Sequence, residues 1–512
     1  MRYDSSVPTY HVENFGCRAT QADGAALERQ FELRGLGRAS AAHADLVILN
    51  TCTVTNSADQ DARAAIRRVQ RQNPAAKIIV TGCYAQRAPQ EIAALPGVTV
   101  VIGNSHKHQL AEIALPILSE VGPLTAFRWS SASSAAVDPY TSPPALAAEV
   151  DSRRNQPTFL PLSTLSENLE LKTENRLFVS DIFAHTELLA APVFESANER
   201  SRTRPNLKVQ DGCDNRCSFC VIPSVRGHSR SLPLPEIIQE VNTLVAAGYR
   251  ELVISGINLG RWGRDLGVRP PASGLRKPEA ESRMPNFESL LRSILVETHL
   301  EKLRISSVEP MDWTDDLIAL VASSPRIAKH AHVPLQSGSD TVLRRMHRKY
   351  RPWHYRDKIE KIRAAMPTAA IGADVMTGFP GETLAEFEST LRLIEDLPFT
   401  YLHVFTYSAR PGTPAAAMPN QVPVHIARER NKILRDLAAA KKQAFMRTFI
   451  GQTLEAITLG SCAVDAPARE GLTEALTDNY QKLSLSGHYE PNRWITAKVN
   501  AVSDGAFVAS RL

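Results

Sequence analysis

Six of the seven cysteines fall into two sets of three. One set is compact: Asp211-Gly212-Cys213-Asp214-Asn215-Arg216-Cys217-Ser218-Phe219-Cys220 brings three thiols into a single loop. Three thiolates can hold three irons of a four-iron cluster, and the remaining iron is then free to bind a substrate. A zinc site completed by His228 would use the same donors, but the strand and helix text around the loop fits an enzyme barrel and not a small finger. The other set is spread over Cys17, Cys52 and Cys83. Each of these follows a short apolar segment. One such cysteine reads as packing, whereas three in matching positions point to one shared site. Cys462 stands apart and reads as structural.

The segments that must position these thiols alternate in type. VENF, DLVILN and KIIV each have the length of a buried strand and run into Cys17, Cys52 and Cys83, with helical stretches over roughly 20 to 34 and 57 to 71 between them. A β-α-β-α-β pattern builds a parallel, doubly wound sheet whose ligand-contacting residues lie beyond the carboxyl ends of the strands. The three spread cysteines would therefore converge at one sheet edge. From 205 to 449 strand-like text recurs at LKVQ, ELVIS, LRISS, HAHVPL, AIGADVM and YLHVFTY, which predicts a partial parallel (β/α)6 barrel with the compact loop at its mouth. Residues 450–512 alternate as LEAITL, KLSLS, WITAKV and GAFVAS and predict a small antiparallel β-barrel. The expected domains are thus 8–122, 205–449 and 450–512. Residues 123–204, rich in Ser, Ala and Pro, read as a partly disordered linker or insertion, and 264–286 as a long surface loop.

Composition narrows the class without naming it. The 512 residues are 43% hydrophobic and 22% charged, ordinary for a globular protein. The amino terminus has no signal-like apolar run, and no stretch is apolar enough to span a bilayer, so a cytoplasmic protein without membrane partner is expected. The net charge of +5 permits a polyanionic partner without requiring one. An odd number of cysteines fits reduced thiols and not a disulfide framework.

The C-x3-C-x2-C loop resembles the signature of the radical S-adenosylmethionine superfamily. In that superfamily the open iron chelates the methionine part of S-adenosylmethionine, and reduction yields a 5′-deoxyadenosyl radical. Ser255 and Gly256, Ser307 and Glu309, Gln336 and Asp374 stand where cofactor-contacting residues lie in such barrels. NFGCR around Cys17, NTCTVTN around Cys52 and TGCYAQ around Cys83 resemble the amino-terminal domain of the methylthiotransferases, and the terminal barrel resembles their TRAM module. The NTCTVTNxxD and GCYAQ forms are similar to the branch acting on threonylcarbamoyladenosine, MtaB-like in type. The resemblance covers nearly the whole chain outside 123–204 and 264–286.

The resemblance implies two 4Fe-4S clusters, one on Cys213, Cys217 and Cys220 and an auxiliary one on Cys17, Cys52 and Cys83, with two molecules of S-adenosylmethionine per turnover. It implies conversion of N6-threonylcarbamoyladenosine in the tRNA anticodon stem-loop, at adenosine 37, to its 2-methylthio form. The steps are hydrogen abstraction at C2, sulfur insertion and methyl transfer. A flavodoxin- or ferredoxin-type electron donor and an unidentified sulfur donor complete the partners. Isopentenyladenosine or a ribosomal-protein aspartate are the alternative substrates, and an iron-sulfur RNA-binding sensor is the alternative class.

RNA contact calls for cations beside flat rings. The run 344–355, with Arg344, Arg345, Arg348, Lys349 and Tyr350, is the expected surface, joined by Arg226 and Arg230 near the cysteine loop. In 451–512 acidic residues outnumber basic ones, so this barrel would touch RNA only by local geometry, through Thr477-Asp478-Asn479-Tyr480.

Overall fold

In the computed structural model, residues 7–119, 177–189, 203–267, 285–460 and 471–512 are described. Cys462 and most of 123–204 and 264–286 lie outside them. The amino-terminal unit is a parallel sheet in the order Gly37–Arg38, Thr9–Asn14, Leu46–Thr51, Lys77–Gly82, Val98–Gly103, Leu177–Phe178. Leu46–Thr51 is buried at every position, as an apolar central strand covered on both faces must be. Helices Arg18–Glu32 and Asn56–Gln72 are the two expected crossovers, and Thr55 caps the second by accepting a hydrogen bond from the Ala58 N–H. Leu177–Phe178 corrects the reading of 123–204 as linker alone: part of it adds the last strand of this sheet.

The six expected barrel strands are Asn206–Asp211, Glu251–Gly256, Lys302–Ile305, His330–His332, Ala370–Thr377 and Tyr401–Thr406. They form two sheets joined by parallel bridges at Leu303 with Ile327 and at Ser307 with His332. One continuous apolar core, including Trp262, Trp313, Tyr355 and Phe379, fills the space between strands and outer helices. Among the described residues Tyr401–Thr406 has a single strand neighbour, so the sheet does not close along that side. The chain ends in a closed five-stranded barrel with its own core around Phe449, Leu483 and Phe507. Among the described residues no helix is long and apolar enough to cross a membrane.

Candidate active site

Each spread cysteine sits just past the carboxyl end of a strand. Cys17 precedes helix Arg18–Glu32, Cys52 follows Leu46–Thr51, and Cys83 opens the short helix Cys83–Arg87. Cys52 and Cys83 are buried and Cys17 is exposed. Burial, followed by the neighbouring Cys83, pushes the Cys52 thiol up to about 12, and Cys17 adds to the effect. The three thiols thus share one locality, and a metal that binds thiolate displaces those protons. Glycine makes the approach possible. Gly16 has φ +102°, and a Cβ there would lie 2.6 Å from Cys52 Cβ; Gly82 has φ +100° and backs onto the Thr51 carbonyl. Gly212, before Cys213, is also left-handed at φ +69°. The repeated Gly-Cys step with positive φ is a signal that sequence reading missed.

The compact set sits at the carboxyl end of Asn206–Asp211. Cys213 Sγ lies 3.4 Å from the Asn215 N–H and 3.6 Å from Asn258 Nδ2, while Arg348 Nη1 approaches Cys217 Sγ at 3.2 Å. Burial raises the thiols of Cys213 and Cys220, the latter to about 12, and Cys217 raises both further. Among the described residues no three His, Cys, Asp or Glu side chains surround a point suited to a single ion. His228 is exposed, with Nδ1 2.8 Å from Asp214 and its ring 5.1 Å from Phe183, and does not complete a zinc site. Three thiols in one loop, two of them met by amide and guanidinium donors, fit a cubane with one open iron.

One element links the loop of the compact set to Cys83. Helix Ile222–Arg226 leaves the loop of Cys220 and packs on Cys83, with Val221 and Val225 against the thiol. Asn104 Nδ2 donates to the Val225 carbonyl at 2.7 Å and lies 3.6 Å from Cys83 Sγ. At the end of that helix Arg226 enters a buried network. It pairs with Asp211 at 3.0 Å and Asp23 at 3.0 Å; Lys208 pairs with Asp23 and, at 2.8 Å, with Asp211; Lys107 pairs with Asp23 at 3.1 Å. Burial would raise the Asp23 carboxyl, but Arg226, Lys107 and Lys208 outweigh it and hold it at about 2.

This network corrects the expectation that Arg226 meets RNA: the side chain is 2% exposed and spent on two carboxylates. Arg348 is likewise interior, paired with Glu309 and stacked at 5.0 Å over the buried ring of Tyr350, which itself donates to the Leu335 carbonyl at 2.7 Å. Neither Arg348 nor Tyr350 presents a face to solvent. Arg230 is half-buried and donates to the His228 carbonyl. Arg345 is held by Glu386, and exposed Arg344 pairs with Asp340. Lys349 is exposed, and the exposed ring beside it is Trp353, at 55%. The segment Thr477-Asp478-Asn479-Tyr480 turns inward: Arg304 donates to the Thr477 and Asp478 carbonyls, and the Tyr480 ring lies 4.7 Å from His330.

Among the expected cofactor contacts, Ser255 and Gly256 end one strand, Ser307 and Glu309 follow the next, and Gln336 follows the third. The hydroxyl of Ser255 and the amide oxygen of Gln336 are buried without hydrogen-bond partners, and Gln336 adopts φ +64°. Asp374 sits midway along its strand, 3.4 Å from His332.

Two family models match the chain: an uncharacterized protein family, UPF0004, over residues 9–103, and the radical SAM superfamily over 207–394. A threonylcarbamoyladenosine tRNA methylthiotransferase MtaB from Bacillus subtilis is 34% identical, covering 94% of this chain and 90% of the relative. Its counterpart from Aquifex aeolicus is 31% identical over 94% and 98%. A tRNA-2-methylthio-N(6)-dimethylallyladenosine synthase from Novosphingobium aromaticivorans is 32% identical over 88% and 87%. The solved radical S-adenosylmethionine methyltransferase TsrM from Kitasatospora setae shares the fold at TM-score 0.52 and 14% identity, over 80% of this chain and 77% of that one. With both cysteine triads in place at strand ends and relatives of this identity and extent, the chain belongs to the radical S-adenosylmethionine methylthiotransferase family, on its MtaB-like branch.

Proposed function

We propose that the protein is a tRNA methylthiotransferase converting N6-threonylcarbamoyladenosine, next to the anticodon, to its 2-methylthio derivative. What supports this reading is helix Ile222–Arg226, which follows the Cys213–Cys220 loop and packs on Cys83, so that the proposed sites of the two clusters are joined by one short element. When bound, the two 4Fe-4S clusters and S-adenosylmethionine supply the radical, the sulfur and the methyl group. The chain supplies position. Cys213, Cys217 and Cys220 hold one cluster, Cys17, Cys52 and Cys83 the other. Arg348 steadies Cys217, and Asn258 steadies Cys213. Ser255, Gly256, Ser307, Glu309 and Gln336 are the proposed cofactor contacts at the barrel mouth, with Asp374 below them.

On this reading 8–122 carries the auxiliary centre, 205–449 the radical centre, and 450–512 braces the end of the barrel. The protein works in the cytoplasm with a flavodoxin- or ferredoxin-type reductant and a separate sulfur donor. Mass spectrometry of tRNA nucleosides tests it: expression in a host lacking the modification should produce 2-methylthio-N6-threonylcarbamoyladenosine. Accumulation of the isopentenyl product instead would overturn the substrate assignment.

A further inference from the structure

The edge strand of the barrel and its neighbours carry a group of donors that the cysteine sets do not use. Tyr401 and His403 lie two apart on the edge strand and so share a face. The His403 ring is 5.6 Å from His332 and 5.3 Å from Tyr401. Both nitrogens of His332 are buried without a hydrogen-bond partner, the nearest charged group being Asp374 at 3.4 Å. Arg18 reaches the same wall from the other domain. It directly follows Cys17, is exposed, and forms no ion pair among the described residues; its guanidinium makes one hydrogen bond, Nη2 to Tyr480 Oη at 3.4 Å. That Tyr480 ring lies 6.1 Å from Tyr401 and 4.7 Å from His330, which sets Arg18 at the end of this wall. Asp374, the acidic group of this wall, pairs with His332 and acts on His403 as well, while Arg18 keeps a guanidinium without an ion pair among the described residues.

A guanidinium beside imidazole, unpaired and adjacent to a cluster ligand, is built for a carboxylate. We infer that Arg18, assisted by His403, recognises the free carboxylate of the amino-acid substituent on N6 of the substrate adenosine and so selects it over an apolar substituent. The inference rests on the substrate reading above. An isopentenyl group offers these donors nothing and would leave them desolvated and unpaired, which is the strongest form of discrimination a site has.

The test uses reconstituted full-length protein and anticodon stem-loops bearing N6-threonylcarbamoyladenosine, its carboxyl methyl ester, or N6-isopentenyladenosine. Wild-type protein should prefer the acid to the ester by roughly 10-fold to 100-fold in kcat/KM, chiefly through KM, as expected for one charge-assisted contact. Arg18→Gln should bring that ratio close to one, Arg18→Lys should restore part of it, and His403→Ala should fall between. Stem-loop Kd, measured by fluorescence anisotropy without turnover, should follow the same order at equal iron content. An Arg18→Gln protein that keeps the acid preference in both measurements overturns the assignment of Arg18. Wild-type protein active on the isopentenyl stem-loop alone overturns the substrate reading instead.

Discussion

Arg226 Nη2 lies 3.0 Å from Asp23 Oδ2, and this contact joins the radical barrel to the amino-terminal sheet across 203 positions of sequence. Both side chains are 2% exposed. Breaking a buried pair strands the remaining charge and costs about 3–5 kcal/mol, whereas surface pairs such as Arg344 with Asp340 contribute about 0–1 kcal/mol. Asp23→Ala should therefore lower thermal stability severely and Asp340→Ala hardly at all. Paired melting curves check this.

The same carboxylate sets an acid limit. Asp23 titrates at about 2 in the folded protein, below its unfolded value of about 3.9, so its contribution is complete above the unfolded value and lost as pH falls toward the folded one. Asp211 is lowered too, against its burial, by Arg226 and Lys208. Denaturant midpoints should fall between about pH 5 and pH 2, and Asp23→Asn should flatten that slope.

The two thiol triads should load independently. Cys217→Ala should retain the auxiliary iron, lose roughly four irons, and release no 5′-deoxyadenosine; Cys52→Ala should lose a similar amount yet still cleave S-adenosylmethionine. Iron counts and deoxyadenosine assays on anaerobically reconstituted protein decide it. A Cys217→Ala protein that still releases deoxyadenosine contradicts the radical assignment.

Gly16→Ala asks for a Cβ 2.6 Å from Cys52 Cβ at φ +102°. Removing the left-handed freedom there should empty the auxiliary site while the radical site keeps its iron. Gly35→Ala, also at positive φ but with nothing within 4 Å of the added carbon, should lose some stability and no iron.

Exposure separates surface cations from interior ones. Lys349→Ala should weaken tRNA binding about equally for all sequences and reduce the salt slope by about 1, and Trp353→Ala should weaken it through lost stacking. Arg348→Gln should leave the salt slope unchanged and slow deoxyadenosine release, because its guanidinium meets Cys217 and Glu309 and not solvent. Filter binding at several salt concentrations distinguishes the two effects.

Much of this architecture was legible before any coordinates. The six barrel strands and the three strand-to-cysteine junctions were readable because they are apolar runs of strand length, several of them closing at Gly or Cys. Val98–Gly103 and Leu177–Phe178 were missed. The former runs into no cysteine that would draw attention to it, and the latter is two residues inside text with no period. The basic run at 344–355 misled for a different reason. Charge density along a sequence does not reveal which guanidinium has an interior carboxylate waiting, and Glu309 and Asp23 lie 39 and 203 positions from the arginines they hold. Arg18 gave no signal by itself, since its meaning depends on His403 arriving from a distant strand.

Ile222–Arg226 is a single turn of helix with an iron-binding loop at one end and a charged lock at the other. Adding or deleting one residue would swing Arg226 by about 100° and pull it away from Asp23. The offset between the Cys213–Cys220 loop and the Asp23 contact is consequently set by a spacer whose length that contact holds fixed.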